Sequence, residues 1–157
     1  KDVMLFSSGG KAIRIKESDV RAMGRTARGV RGIRLKKDEE LISLIIPYEN
    51  SEILLSSENG FGKRSKISDY SIIGRGGQGV ICMKASSRNG KLVGAIEISS
   101  GEEVILISDQ GTLVRISSNE VSLQGRNTLG IKLISLAEDE RLVGIAAVNE
   151  LDDGSDS

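Results

Sequence analysis

The sequence contains no histidine, no tryptophan and one cysteine, Cys82, among its 157 residues. Without histidine, the commonest general acid–base group and the commonest neutral metal ligand are both missing. A single cysteine excludes an internal disulfide and cannot assemble a structural zinc site without other ligands. These absences indicate a non-catalytic chain with no metal site and no cofactor of its own, in a reducing, cytoplasmic setting.

Long apolar runs are absent as well. The longest, such as residues 104–107, are only a few residues, whereas a membrane-spanning helix needs roughly 20. The chain begins with a lysine and carries neither an initiator methionine nor a signal-cleavage pattern, so we expect a fragment of a longer protein. The apolar share of 38% is enough to build the core of one globular domain.

Aromatic side chains are scarce, with only Phe6, Tyr48, Phe61 and Tyr70 in the sequence. They are too few and too scattered to form a platform on which the bases of single-stranded nucleic acid could stack. If the chain binds nucleic acid, we therefore expect contacts to duplex phosphates, with sensitivity to DNA bendability in place of base reading.

The formal net charge is zero, but the charges are unevenly distributed along the chain. Residues 1–50 carry 11 basic against 7 acidic side chains, residues 51–100 carry 7 against 4, and residues 101–157 carry 4 against 11. Residues 11–37 alone hold ten basic side chains against two acids. The first two thirds are thus basic and the last third is acidic, which is compatible with a polyanion as partner.

A segment of the form Gly-Arg-x-x-x-Gly followed by Val or Ile occurs three times, beginning at Gly24, Gly74 and Gly125. Ten or eleven residues upstream of each copy lies an arginine, and further upstream an apolar run enters a glycine turn near Gly10, Gly60 and Gly111. The chain therefore consists of three repeats, at about residues 3–50, 51–100 and 101–150, and an acidic tail, 151–157, that we expect to be disordered.

Short Ile-, Val- and Leu-rich runs bounded by Gly, Asn, Asp or Ser predict an all-β fold. In repeat 1 we predict four antiparallel strands, at residues 3–7, 12–16, 30–35 and 41–47, which together make one blade of a propeller. The motif glycines are expected to supply positive φ or close backbone approach. Because propellers typically need at least four blades, three blades leave an open arc, and either further blades or a second copy complete it.

The stretch from Gly74 to Gly79 matches the dinucleotide pattern G-x-G-x-x-G. That pattern needs a helix after its third glycine, whereas the residues after Gly79 read as a strand. We therefore interpret it as a structural turn.

Arginines recur in register in the three repeats, and their forked guanidinium suits phosphate oxygens. Stacking equivalent blades around an arc would align them into a basic track for a curved polyanion. The alternative for any single charge run is a solvated surface. The predicted phosphate contacts are Arg14, Arg25, Arg28, Arg31, Lys63, Arg64, Lys66, Arg75, Arg115 and Arg126.

Residues 22–33, 59–64, 111–115 and 125–130 together resemble the C-terminal domain of the bacterial DNA gyrase A protein, and the resemblance covers essentially the whole chain. It implies a six-bladed β-pinwheel with a basic perimeter that wraps duplex DNA, of which this chain corresponds to the last three blades. It further implies a parent type II topoisomerase, assembled from gyrase A and gyrase B, in which ATP and Mg²⁺, bound elsewhere, drive negative supercoiling.

The seven-residue box typical of that family, Gln-Arg-Arg-Gly-Gly-Lys-Gly, has its nearest match at residues 73–79. Arg75, Gly76, Gly77 and Gly79 agree with it, and the other three positions differ. We expect the true box in upstream blades, so this chain binds DNA without wrapping it. The acidic end, at 138–140 and 152–153, acts either as an inhibitory segment or as a solubilising terminus.

Three alternatives stay open. The corresponding C-terminal domain of topoisomerase IV has a similar but degenerate set of blades. A propeller that binds proteins would show an apolar patch and an affinity indifferent to salt. An independent enzyme would need a titratable cluster in a pocket.

Overall fold

A computed structural model describes residues 2–18, 37–48, 51–72, 79–84, 86–99 and 101–148. Within these residues the chain forms eleven strands and two 3-10 turns, the latter at Ile67–Asp69 and Ser118–Glu120. The strands are β1 Asp2–Ser7, β2 Lys11–Lys16, β3 Leu41–Ile45, β4 Glu52–Ser57, β5 Phe61–Lys66, β6 Val80–Ile81, β7 Leu92–Ile98, β8 Glu103–Ser108, β9 Leu113–Ser117, β10 Ile131–Lys132 and β11 Leu142–Ala147.

The strands form three antiparallel sheets, the blades of a propeller-like arc. Blade 1 has the strand order β3-β1-β2-β6, blade 2 has β7-β4-β5-β10, and blade 3 has β11-β8-β9. Strand β7 contacts both β3 and β11, so these three are the inner strands of neighbouring blades. The predicted all-β pinwheel architecture is confirmed, and a strand, β6, follows Gly79 where the dinucleotide pattern would need a helix.

The outermost strand of a blade comes from the following repeat, which differs from the expectation that each repeat folds into its own blade. Strand β6 of repeat 2 pairs with β2 of repeat 1, and β10 of repeat 3 pairs with β5 of repeat 2. The exchange covers the polar edge that β2 and β5 would otherwise expose. Strands β1, β2 and β3 match three of the predicted strands, whereas the prediction at residues 30–35 lies outside the described residues.

The core lies between the blades. In β4, Ile53 and Leu55 pack in the cluster shared with blade 1, whereas Leu54 packs in the cluster shared with blade 3. Since successive side chains of a strand point to opposite faces, the middle blade is buried on both faces and reads as a continuous apolar run. Its sheet is therefore the structural centre of the arc.

The first hairpin turn of each repeat contains a glycine with positive φ, and two of these glycines also touch the next repeat. Gly10 has φ 83° and Gly60 has φ 91°. The Gly10 carbonyl accepts a hydrogen bond from the N–H of Cys82 (2.8 Å), and the Gly60 carbonyl accepts one from the N–H of Leu133 (2.7 Å). A β-carbon on Gly60 would lie 2.7 Å from the carbonyl oxygen of Ile134. These turns thus reverse the chain in the hairpin and also serve as contact points between repeats.

Candidate nucleic-acid interface

Arg14 in β2 connects blade 1 to repeat 2. Its Nη1 donates to the carbonyl oxygens of Ile67 (3.2 Å) and Tyr70 (3.0 Å), at the 3-10 turn that follows β5. Its Nε and Nη2 bind Asp2 Oδ2 at 3.0 and 2.8 Å. The guanidinium therefore has four polar contacts within the protein and serves as a strut between the repeats.

Arg64 in β5 repeats this arrangement one blade further on. Its Nε donates to the carbonyl oxygen of Val121 at 2.7 Å, and its Nη1 binds Glu52 Oε1 at 2.7 Å. Only 12% of the Arg64 side chain and 16% of the Glu52 side chain are exposed. The sequence predicts both Arg14 and Arg64 as phosphate contacts. In the structure, both guanidinium groups instead bind carbonyl oxygens of the following repeat.

Arg115 holds the equivalent position in β9, but its surroundings differ. Its Nε and Nη2 bind Glu103 Oε1 across the hairpin, each at 2.5 Å, and 59% of its side chain is exposed. Blade 3 is the last blade in the described part of the chain, and no carbonyl of a following repeat meets this guanidinium there. Arg115 is thus placed at the surface, paired with one exposed carboxylate.

Lys63 is fully buried, so we exclude it from the surface that DNA could reach. Its Nζ donates to the carbonyl oxygens of Gly125 (2.9 Å), Arg126 and Thr128 (3.2 Å), and to Thr128 Oγ1 (2.9 Å). All these acceptors belong to one loop of repeat 3, residues 125–130, which we call the Gly-Arg loop. Among the described residues, the loop thus accepts every hydrogen bond that the ammonium group donates.

The sequence carried a signal for this burial. Lys63 precedes Arg64 as Ile13 precedes Arg14 and Val114 precedes Arg115, and Ile13 is fully buried. Because a strand alternates its faces, a residue next to an outward arginine points into the core. Register with the other repeats therefore predicts an inward side chain at position 63 despite its charge.

Burial lowers the pKa of Lys63 to about 8, because desolvation disfavours the charged ammonium. In the unfolded chain a lysine titrates near 10.4, so between about pH 8 and 10.4 the unfolded state binds more protons than the folded state. The free-energy cost of burying the Lys63 charge is therefore greatest below pH 8 and decreases as the pH rises.

We expect the free energy of unfolding of the wild type, measured relative to Lys63→Met, to rise by roughly 1 kcal/mol per pH unit between pH 8.5 and 10. Urea denaturation of both proteins at several pH values measures this difference. Cys82 and Tyr70, whose pKa values burial raises, are present in both proteins and cancel in the comparison. A difference that is flat with pH would contradict a titrating Lys63.

Arg126, in the Gly-Arg loop, also turns toward the protein. Its Nε donates to the carbonyl oxygen of Asp69 and its Nη1 to that of Ile81, each at 2.9 Å. It therefore ties the loop of repeat 3 to repeat 2. The remaining predicted arginines, Arg25, Arg28, Arg31 and Arg75, lie outside the described residues.

The exposed cations include lysines that the sequence prediction missed. Lys66, which was predicted, is exposed at the end of β5. Lys132 lies in β10, the outermost strand of blade 2, and Lys84 follows β6, the outermost strand of blade 1. Each of these two lysines aligns with a basic residue in only one other repeat, so their pattern is weaker than that of the arginines that recur in all three repeats. Within the described part of the chain, the exposed lysines without an ion pair are Lys16, Lys37, Lys66, Lys84, Lys91 and Lys132.

Arg88 of repeat 2 also binds the Gly-Arg loop. Its Nη2 donates to the carbonyl oxygens of Leu129 (3.2 Å) and Gly130 (3.0 Å), and its guanidinium carbon lies 4.2 Å from the centre of the Phe61 ring. A cation over an aromatic face is attracted by the ring quadrupole. Arg88 is exposed, but its guanidinium is held in place by repeat 3 and by Phe61.

Within the acidic stretch 138–140, Glu140 is buried while its two neighbours are exposed. Its carboxylate accepts hydrogen bonds from Ser108 Oγ (2.5 Å), Thr112 Oγ1 (2.7 Å) and the N–H of Ala137 (3.1 Å). These hydrogen bonds lower the pKa of Glu140. Glu140 thus stabilises a turn of blade 3. The acidic tail predicted at 151–157 lies outside the described residues.

The described residues contain neither a cluster of metal ligands nor a membrane-spanning helix. Among them, no group of three or more Cys, Asp or Glu side chains could hold a metal ion. No helix in those ranges is long and apolar enough to cross a bilayer.

Comparison with known families gives one consistent result. The family model described as the DNA gyrase C-terminal domain, a β-propeller, matches residues 1–47, 51–99 and 102–149. The DNA gyrase A protein of Pseudomonas aeruginosa is 58% identical over 156 residues, which are 99% of this chain and 17% of that protein. The same protein of Escherichia coli is 46% identical over 155 residues, which are 99% of this chain and 18% of that protein. The chain spans less than a fifth of the length of these relatives.

Solved structures agree in fold. A DNA gyrase A C-terminal domain matches with a TM-score of 0.79 and 28% identity, over 94% of this chain and 50% of that chain. A C-terminal domain of DNA topoisomerase IV matches with a TM-score of 0.78 but only 16% identity, over 93% of this chain and 46% of that chain. At 16% identity the second match supports the fold alone.

Proposed function

We propose that this chain, which belongs to the DNA gyrase C-terminal β-propeller family, is a non-catalytic module that binds and bends duplex DNA. The observation that carries the proposal is the set of exposed lysines without ion pairs, among which Lys84 and Lys132 lie at the outermost strands of blades 1 and 2. Free ammonium groups on a curved rim neutralise phosphates without reading bases.

The proposed contact set differs from the predicted one. Lys66 and Arg115 are retained, Lys16, Lys37, Lys84, Lys91 and Lys132 are added, and Arg25, Arg28, Arg31 and Arg75 keep their predicted role. Arg14, Lys63, Arg64 and Arg126 are reassigned to holding neighbouring repeats together, because their charged groups bind carbonyl oxygens of a neighbouring repeat.

In the longer protein, this module would support ATP-dependent negative supercoiling by a complex with the N-terminal region of gyrase A and with gyrase B, in the bacterial cytoplasm. We assign ATP and Mg²⁺ to other parts of that complex. A role in topoisomerase IV is less favoured, because the relatives named above are gyrase A proteins at 58% and 46% identity, whereas the topoisomerase IV domain is only 16% identical.

A protein-contact role has one observation in its favour. Leu44, Ile46 and Tyr48, in β3 and directly after it, are each more than half exposed, and so is Val143 in the inner strand β11. We assign this apolar inner edge to packing against further blades of the same polypeptide, because the solved gyrase A domain is about twice as long as this chain.

The proposal is tested by binding this chain to a duplex of about 40 base pairs over a salt series. Each phosphate contact contributes roughly −0.9 to the log–log slope, so Lys84→Ala combined with Lys132→Ala should flatten the slope by about 1.8. The matched control, arginine at both positions, keeps the charge and should keep the slope. An unchanged slope in the alanine variant removes these two lysines from the contact set, and no binding at low salt removes the function.

A further inference from the structure

The Gly-Arg loop is held from inside by one side chain. Three of its carbonyl oxygens and the hydroxyl of Thr128 surround the ammonium group of Lys63, which is fully buried. No carboxylate bonds to this ammonium within the described ranges, so the charge is compensated by backbone and hydroxyl dipoles. Losing the ammonium would leave the carbonyl oxygen of Arg126 without a donor, and those of Gly125 and Thr128 with one donor fewer, among the described residues.

The same loop connects two of the proposed phosphate contacts. The N–H of Lys84 donates to the carbonyl oxygen of Thr128 at 2.8 Å, and this oxygen also binds Lys63. Lys132 follows the loop directly in β10, which pairs with Phe61 and Gly62 of β5. The buried ammonium of Lys63 is therefore bound to the backbone segment that sets the relative position of Lys84 and Lys132. Lys84 lies at the outermost strand of blade 1 and Lys132 in that of blade 2.

The charged groups around Lys63 are few. Arg126 and Asp69 act on it electrostatically, and the buried thiol of Cys82 lies close by. The pKa of Cys82 is raised to about 12 by burial, well above that of Lys63, and the chain has no histidine. Of these two buried groups, Lys63 is thus the one whose charge changes between pH 7 and 9.5.

We propose that Lys63 is a positioning residue for DNA binding, whose buried ammonium holds the Gly-Arg loop so that Lys84 and Lys132 face the same stretch of phosphate backbone. This rests on the proposed function. Lys63 itself touches no DNA, and its influence passes through Thr128 and the loop backbone. Loss of its proton weakens the hydrogen bonds to the carbonyls, loosens the loop, and so lowers the affinity for duplex DNA.

The proposal makes the pH dependences of stability and of binding run in opposite directions. Deprotonation of Lys63 removes a buried charge and stabilises the fold, while it loosens the loop and weakens binding. A fall in affinity above pH 8 in a protein that is becoming more stable cannot come from unfolding. A side chain with a merely structural role would not produce this combination.

The experiment compares duplex affinity of the wild type, Lys63→Met, Thr128→Val and Lys66→Met at fixed salt from pH 7 to 9.5. We expect Lys63→Met to bind roughly fivefold more weakly at pH 7 and to lose the wild type's decline above pH 8. Thr128→Val removes one acceptor without changing the charge and should show a smaller loss. Lys66→Met removes an exposed charge from the same strand and should bind more weakly while keeping the pH profile.

The outcomes separate the two proposals. A wild type that binds no duplex at low salt overturns the proposed function and this inference together. A wild type that binds, with Lys63→Met and Thr128→Val matching it in affinity and pH profile, overturns the inference alone. If Lys63→Met does not fold, Thr128→Val and the wild-type pH profile decide the matter, and a flat profile with unchanged Thr128→Val affinity overturns the positioning role.

Discussion

Replacing Arg64 by alanine is expected to lower the free energy of unfolding by roughly 2–4 kcal/mol, whereas Arg115→Ala should lower it by less than about 1 kcal/mol. The two residues occupy the same position of successive repeats, and each binds a glutamate across the equivalent hairpin of its own repeat. Removing Arg64 leaves Glu52 mostly buried without its partner and leaves the carbonyl of Val121 without a donor. Removing Arg115 breaks one exposed pair.

Urea denaturation of the two variants and the wild type measures both losses under one set of conditions. Arg64→Lys is an informative addition, because an ammonium group cannot span Val121 and Glu52 as the planar guanidinium does, and it should recover only part of the loss. Equal losses at positions 64 and 115 would mean that contact between blades contributes little at Arg64.

The second large effect is expected at the hairpin glycines. Gly60→Ala should destabilise the fold by roughly 2–4 kcal/mol, and Gly111→Ala by about 1 kcal/mol. Both glycines have positive φ, 91° and 85°, so both variants incur the backbone strain of a side chain in the left-handed region. Only at Gly60 would the new β-carbon also meet the carbonyl of Ile134, whereas nothing lies within 4 Å at Gly111.

Thermal or urea unfolding of the two glycine variants isolates the contribution of the neighbouring repeat, since the conformational strain is common to both. A Gly111→Ala loss as large as that of Gly60→Ala would show that φ alone sets the cost. The comparison parallels the arginine pair, because in each case the repeat-2 residue contacts the following repeat, whereas its repeat-3 counterpart has no such contact among the described residues.

The predicted DNA-contact residues were only partly recoverable from the sequence. Repetition identified the arginines correctly as equivalent positions, but equivalence in a repeat protein serves packing between neighbours as well as ligand binding. Arg14 and Arg64, whose position is arginine in all three repeats, are used for packing. Lys84 and Lys132 are exposed, and each aligns with a basic residue in only one other repeat, Arg34 and Arg31 of repeat 1. A recurring residue was therefore a better predictor of an interface between repeats than of a phosphate contact.

The sequence by itself determined the three repeats, the strands β1 to β3, the positive φ of the motif glycines Gly79 and Gly130, and the family, because each of these depends on local pattern or on similarity along the chain. Only the tertiary structure decided that outer strands are exchanged between repeats, that Lys63 is enclosed by the Gly-Arg loop, and that Arg64 is a strut while Arg115 is exposed. These outcomes depend on contacts between residues about 50 to 70 positions apart. The same local sequence acquires a different role when the following repeat is packed against it and when it is not.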